Sequence, residues 1–221
     1  MKGDRGWIPT ARDLDWIDTA ATPAAPVLLE MEEDGRRDGI PIVDRDSGRV
    51  LSVLAVGRRR IVEVGTAIGY STLWLALGQP DDGTIVTIDP DADRAARARA
   101  WWRKAGIADA RIEQVSARAL DAFAAEEPGL AGPFDFAFVD ALKPEYEAYV
   151  EALVPRLAPG ALLVADNVLW SGRVSGERPA ASDDESTRAL RAFDRALLRD
   201  PRFVATILPV GDGLLMAGYR G

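Results

Sequence analysis

Four carboxylates of this 221-residue chain stand in or directly after short apolar runs. Glu63 lies inside the run 61–64, Asp89 follows 84–88, Asp140 follows 134–139, and Asp166, with Asn167 next to it, follows 161–165. Lys143 comes just beyond Asp140. The chain contains no histidine and no cysteine. Histidine-ligated zinc, thiolate nucleophiles, disulfide frameworks and Ser-His-Asp triads are therefore excluded. A general base must be a carboxylate, lysine or tyrosine, and a metal must be a hard cation held by oxygen.

A single aspartate after a strand is explained well enough as a helix N-cap. Glu63 cannot be, because it sits within its strand. Acids repeated along consecutive strand ends point instead to a site at the carboxyl edge of a sheet, where open α/β sheets bind ligands. The segment Glu63-Val64-Gly65-Thr66-Ala67-Ile68-Gly69-Tyr70-Ser71 is a glycine loop, with Ala67 at the middle position of the dinucleotide fingerprint. Asp89, 20 residues after Gly69, is placed to accept both hydroxyls of a ribose. A pyrophosphate would face Glu63, Asp140 and Asp166, whereas a cationic sulfonium bearing an ammonium group suits such a rim. S-adenosylmethionine is favoured over NAD.

Asp140 and Asp166-Asn167 end two strands that this topology makes neighbours, ~4.8 Å apart. Three converging oxygen donors make a magnesium-type site, completed by water and substrate oxygens. The spacing fits equally well an Asp140 that caps the helix starting at Pro144 and an Asx turn at Asp166-Asn167. Lys143 stands at the start of that helix, where the dipole repels a cation. The dipole and a neighbouring divalent ion both favour a neutral amine, as a lysine base requires. The alternative is a solvated surface lysine.

These side chains need elements to hold them. From residue 61 onward, strand-like runs at 61–64, 84–88, 111–115, 134–139 and 161–165 alternate with helical patterns at 70–77, up to 105, 119–125 and 144–156. Such alternation implies right-handed βαβ units and a parallel sheet. After a helix at 187–198, runs 203–210 and 214–219 flank Gly211-Asp212-Gly213, so they form an antiparallel hairpin. The expected fold is α/β: a doubly wound seven-stranded sheet, mostly parallel, with that hairpin at its end. Residues 1–60 read as an N-terminal helical cap, with helices at 25–31 and 48–56, on a single domain spanning 1–221. Residues 175–187 read as a loop. The basic count of 27 against 35 acids argues against a nucleic-acid partner, and Arg58-Arg59-Arg60 reads as a solvated turn. The first residues lack a signal peptide's apolar stretch, and no apolar window is long enough to span a membrane, which suggests a cytoplasmic protein.

The glycine loop, Asp89, the segment 134–149 and above all Ala165-Asp166-Asn167-Val168-Leu169-Trp170-Ser171-Gly172 resemble the cation-dependent O-methyltransferases of the caffeoyl-CoA and catechol type, bacterial members in particular. The likeness runs from about Ile40 to Tyr219, taking in Leu208-Pro209-Val210-Gly211-Asp212-Gly213. It implies a Rossmann-like fold. By the resemblance, Asp140, Asp166 and Asn167 hold Mg²⁺, Mn²⁺ or Ca²⁺; Val43, Glu63, Gly65, Thr66, Ser71, Asp89, Ala117 and Asp140 line the S-adenosylmethionine site; and Lys143 takes the proton from the acceptor. A small aromatic vicinal diol and a homodimer are also implied, the latter giving cover to Trp7 and Trp16. Two departures stand out: Leu142 replaces the usual acid of D-A-D-K, and Asp194 stands where asparagine is common. A catalytically idle cofactor-binding module and an NAD-dependent oxidoreductase are the competing readings.

Overall fold

The computed structural model describes residues 10–179, 181 and 184–221. Trp7 and part of the 175–187 stretch lie outside these. Seven strands form one sheet: β1 (Arg60–Val64), β2 (Thr84–Ile88), β3 (Ile112–Val115), β4 (Phe134–Val139), β5 (Leu157–Ala165), β6 (Phe203–Leu208) and β7 (Leu214–Tyr219). Their spatial order is β3-β2-β1-β4-β5-β7-β6. The chain order reverses between β1 and β4, so their carboxyl ends make the switch point at which such sheets bind ligands. β7 pairs antiparallel with both β5 and β6. The expected hairpin is present, but β7 slots between β5 and β6, so β6 runs in the same direction as the five parallel strands.

Helices cover both faces: α1 (Ala11–Ala20), α2 (Pro26–Asp38), α3 (Arg45–Ala55), α4 (Tyr70–Gly78), α5 (Ala92–Lys104), α6 (Ala119–Ala124), α7 (Tyr146–Leu153) and α8 (Glu185–Leu197). Alternation along the strands divides the core. Ile61, Ile85, Phe136, Phe138 and Val164 pack toward α2–α5, while Val62, Val64, Val86 and Val139 pack toward α6–α8. Phe136 and Phe138 are wholly buried, each worth roughly 1.5–3 kcal/mol of transfer free energy.

The N-terminal part departs most from expectation. α1 has no counterpart among the expected elements, and it buries none of its side chains. α2 continues seven residues past Met31, through a charged stretch held by Glu33–Arg36 and Asp34–Arg37 pairs and closed by Gly39 in the left-handed conformation. α3 begins at Arg45 rather than Gly48 because Asp44 caps it, accepting from the Ser47 N–H. Of the arginine run only Arg59 is solvated, paired at the surface with Asp82. Arg58 and Arg60 donate to the carbonyls of Asp135, Gly160, Gly132 and Gly129, and Arg60 lies over the Phe134 ring.

Candidate active site

A cavity of about 450 Å³ opens at the switch point. Of the residues singled out in the sequence, Val43, Gly65, Thr66, Ser71, Asp89, Asp140, Lys143 and Asn167 line it. Glu63, Ala117 and Asp166 do not. Near Ala117 the wall is formed by Arg118 and Ala119, while Ala117 packs against the core.

Glycine is required at Gly65. Its φ is +104°, and a Cβ there would lie 2.0 Å from the Asp140 carbonyl oxygen, because the ends of β1 and β4 converge. Ala67 also has a positive φ, +44°. Asp89 holds this strained residue by accepting the Ala67 N–H at 2.9 Å on one oxygen, and it accepts the Asp91 N–H at 2.9 Å on the other. The N-cap of α5 is Asp91, not Asp89. Each Asp89 oxygen retains a lone pair for a further donor.

Glu63 is a buried anchor rather than a rim acid. Being on the α4 face of β1, it accepts hydroxyls from Ser71 at 2.6 Å, Thr72 at 2.5 Å and Thr87 at 2.6 Å. Burial pushes its carboxyl up to about 7, against the opposing effect of the three hydroxyls. Thr87 gives its proton to Glu63, so Thr66, 2.6 Å from it, must be the donor of that pair. Glu63 therefore sets the orientation of Ser71 and Thr66, two residues that do face the cavity.

On the β4–β5 side, Lys143 is 8% exposed, which excludes a solvated lysine. It opens a 3-10 turn, Lys143–Glu145, ahead of α7. Its Nζ donates to Asp140 Oδ1 at 2.7 Å and to the Tyr146 hydroxyl at 2.8 Å, and the Tyr146 hydroxyl donates to the Asp166 carbonyl at 3.0 Å. Asp140 thus binds an ammonium, and no side chain caps that turn. Tyr146 has no separate signal in the sequence beyond its place three residues after Lys143.

Asp166 sits behind the cavity wall, 1% exposed, and its Oδ1 has no hydrogen-bond partner. Burial, then the Asp140 charge, pushes its carboxyl well above the usual carboxylate range. A buried oxygen left unpaired costs ~1–3 kcal/mol, a cost a cation would remove. Among the described residues no three acidic side chains converge. The donor set is two carboxylates and the Asn167 amide, a hard set suited to Mg²⁺, Mn²⁺ or Ca²⁺. Asn167, Trp170 and Ser171 have φ of +59°, +49° and +53°, a concentration of left-handed non-glycine residues typical of functional loops.

The expected acidic rim is electrically balanced. Asp140 pairs with Lys143 at 2.7 Å, Glu145 with Arg118 at 2.7 Å, and the lining residue Arg94 with Asp91 at 3.3 Å. Net charge therefore does not separate a sulfonium from a pyrophosphate. Comparison with known proteins does. Tricin synthase 1 of Oryza sativa subsp. japonica is 36% identical over 90% of this chain and 83% of its own length. A catechol O-methyltransferase of Mycobacterium tuberculosis is 37% identical over 80% of each chain. The crystal structure of an O-methyltransferase from Bacillus cereus in complex with SAH superposes with a TM-score of 0.82, at 31% identity, covering 93% of this chain and 96% of that one. The family described as O-methyltransferase matches residues 16–219, from α1 to the last residue of β7, and the chain belongs to that family.

Proposed function

We propose that the protein transfers the methyl group of S-adenosylmethionine to one oxygen of a small aromatic vicinal diol, with a divalent cation held by Asp140, Asp166 and Asn167. The observation that carries this reading is the unpartnered Asp166 oxygen next to the Asp140–Lys143 pair, in a cavity whose far side presents Asp89. The cation supplies polarisation of the acceptor hydroxyl.

The protein's own groups do the rest. Asp89 accepts the ribose hydroxyls, Thr66 and Ser71 are oriented by Glu63 to meet the amino-acid part, and Val43 covers the cofactor. In its neutral form Lys143 keeps two N–H groups for Asp140 and Tyr146, and its lone pair receives the proton of the attacking hydroxyl as the new O–C bond forms and the sulfonium C–S bond breaks, leaving S-adenosylhomocysteine. Tyr146 commits its proton to the Asp166 carbonyl, so its oxygen only accepts, and it holds the lysine in place. Trp170 lines the cavity and supplies an aromatic wall, with Lys143 5.8 Å from its ring centroid. Leu142, 54% exposed, gives the acceptor side an apolar mouth. The reading includes a homodimer, supported by Trp16, 69% exposed on α1.

The experiment is methyl transfer from labelled S-adenosylmethionine to catechol-type diols and to matched monophenols, with and without EDTA. Diols should be methylated, monophenols not, and EDTA should abolish transfer until a divalent ion is restored. Undiminished transfer in EDTA would remove the cation, and equal use of monophenols would remove chelation. Cofactor binding without turnover on any diol would favour the idle binding module.

A further inference from the structure

The turn Gly211-Asp212-Gly213 joins β6 to β7, far from the cavity in sequence, yet it touches the loop that carries Asn167. The Val168 N–H donates to the Gly213 carbonyl at 3.1 Å and the Leu169 N–H to the Asp212 carbonyl at 2.9 Å. The Ser171 N–H donates to the Asp212 side chain, Oδ1. Both sides of the turn are closely packed. A Cβ on Gly213 would lie 2.5 Å from the Leu169 side chain, and one on Gly211 would lie 1.8 Å from Asp44 Oδ2 at the start of α3. The turn is thus wedged between α3 and the loop 167–172, with no room to shift away from either.

That loop is the segment with left-handed Asn167, Trp170 and Ser171. Three non-glycine residues so close together do not hold this conformation on local preference. Bonds within the loop, Trp170 N–H to the Asn167 carbonyl at 3.1 Å and Gly172 N–H to the Leu169 carbonyl at 3.0 Å, close it on itself but do not fix its place on the sheet. The buried Val168 side chain anchors one end of it in the core, and the backbone hydrogen bonds that tie it to the hairpin come from Asp212 and Gly213. Asn167 and Trp170 both line the cavity, so whatever sets the loop sets them.

We infer that Asp212 is a positioning residue: with its side chain accepting the Ser171 N–H, and its backbone carbonyl the Leu169 N–H, it locks the loop in its left-handed form and so holds Asn167 beside Asp166, and Trp170 on the cavity wall. The metal part of this inference rests on the function proposed above, while the loop part does not. Asp212→Ala removes the side-chain acceptor and should expose the Ser171 amide, so that it exchanges with deuterium about tenfold faster or more, while the Leu169 amide keeps its bond to the backbone carbonyl of residue 212 and serves as the internal reference. Asp212→Asn keeps an acceptor oxygen and should restore most of the protection. With Mn²⁺ as the probe, calorimetry should show about tenfold weaker binding for Asp212→Ala, near-native binding for Asp212→Asn, and S-adenosylhomocysteine affinity within about twofold of wild type for both. Unchanged Ser171 amide exchange in Asp212→Ala overturns the inference. So does a parallel loss of Mn²⁺ and S-adenosylhomocysteine affinity that Asp212→Asn does not rescue, because that marks general destabilisation. A wild-type protein that binds no Mn²⁺ sinks the proposed cation site, and the exchange result then decides the role of Asp212 alone.

Discussion

On the β2 side of the cavity the polar groups have partners in the protein itself. Asp89 takes two backbone N–H groups at 2.9 Å, Glu63 takes three hydroxyls, and Thr66 is tied to Thr87 at 2.6 Å. On the β4–β5 side the accounts are left open. Asp166 Oδ1 is buried without a partner, Asp140 is held by a single ammonium at 2.7 Å, and three neighbouring residues adopt left-handed backbone. The first side is complete before any ligand arrives, so binding there costs little rearrangement. The second keeps strain and an unpaired buried oxygen where chemistry would take place, at a cost to stability.

Removing the amine from the second side should have the largest effect. Lys143→Met keeps much of the side chain's bulk under Trp170 but cannot take a proton, and loss of a positioned base costs ~10²–10⁴ in kcat. S-adenosylhomocysteine affinity measured by calorimetry should stay within about twofold, since the cofactor side is untouched. A variant that retains the wild-type rate would show that the open side is not where proton transfer happens.

The complementary change strikes the finished side. Asp89→Ala deletes the acceptor of the Ala67 N–H as well as the group facing the ribose. Losing charge-assisted hydrogen bonds of this kind costs ~2–3 kcal/mol, or ~30–150-fold in cofactor affinity. The rate at saturating cofactor should fall much less. Wild-type affinity by calorimetry would take Asp89 out of the site. Leu142→Asp is a milder probe of the acceptor side. Its exposed charge is worth up to ~1 kcal/mol, about fivefold in relative kcat/KM between charged and neutral diols, with cofactor affinity unchanged. Equal shifts in both would mean that Leu142 serves the two sides alike.

The two sides were also unequally legible in the sequence. Strands with β-branched or aromatic runs, such as Thr84–Ile88 and Phe134–Val139, have the boundaries their residues predict. The acids after them mark the sheet edge correctly, because a strand end is a local feature. What lies around each acid is not local. Nothing in the spacing of Glu63 shows that Ser71 and Thr72 of α4 and Thr87 of β2 come together to bury it. The charge balance at the rim depends on Arg118 reaching Glu145 from another element. The hairpin turn was readable as a turn, but its contact with residues 168–171 follows from β7 lying between β5 and β6, which no sequence period encodes. α1 differs again: its Leu14 and Ile17 lie one turn apart, yet it buries none of its side chains.

The smallest effect concerns a second buried carboxylate, one that faces no cation site. Asp194 on α8 is 5% exposed, and its Oδ1 has no partner. Its helix packs on the Lys143–Glu145 turn, and the neighbouring Phe193 meets Tyr146 edge-on at 5.4 Å. Burial raises the Asp194 carboxyl from 3.8 to about 7. The folded chain therefore keeps this proton over a range in which the unfolded chain has released it. Between those two values the folded state binds more protons, so this group makes stability fall as pH rises, and the loss is complete above about 7. Asp194→Asn cannot ionise and escapes that loss. If it recovers ~1 kcal/mol, the low end for a buried unpaired polar group, Tm at pH ~8 should rise by ~2–4 °C. The gain should shrink steadily toward pH ~4. Divalent ions supply the contrast with Asp166: Mn²⁺ should raise the Tm of the wild type and of Asp194→Asn by the same amount, because Asp194 lies outside the cation site. A Tm difference between variant and wild type that is the same at every pH would show that the Asp194 carboxyl titrates alike in the folded and unfolded chains, so that burial does not raise it.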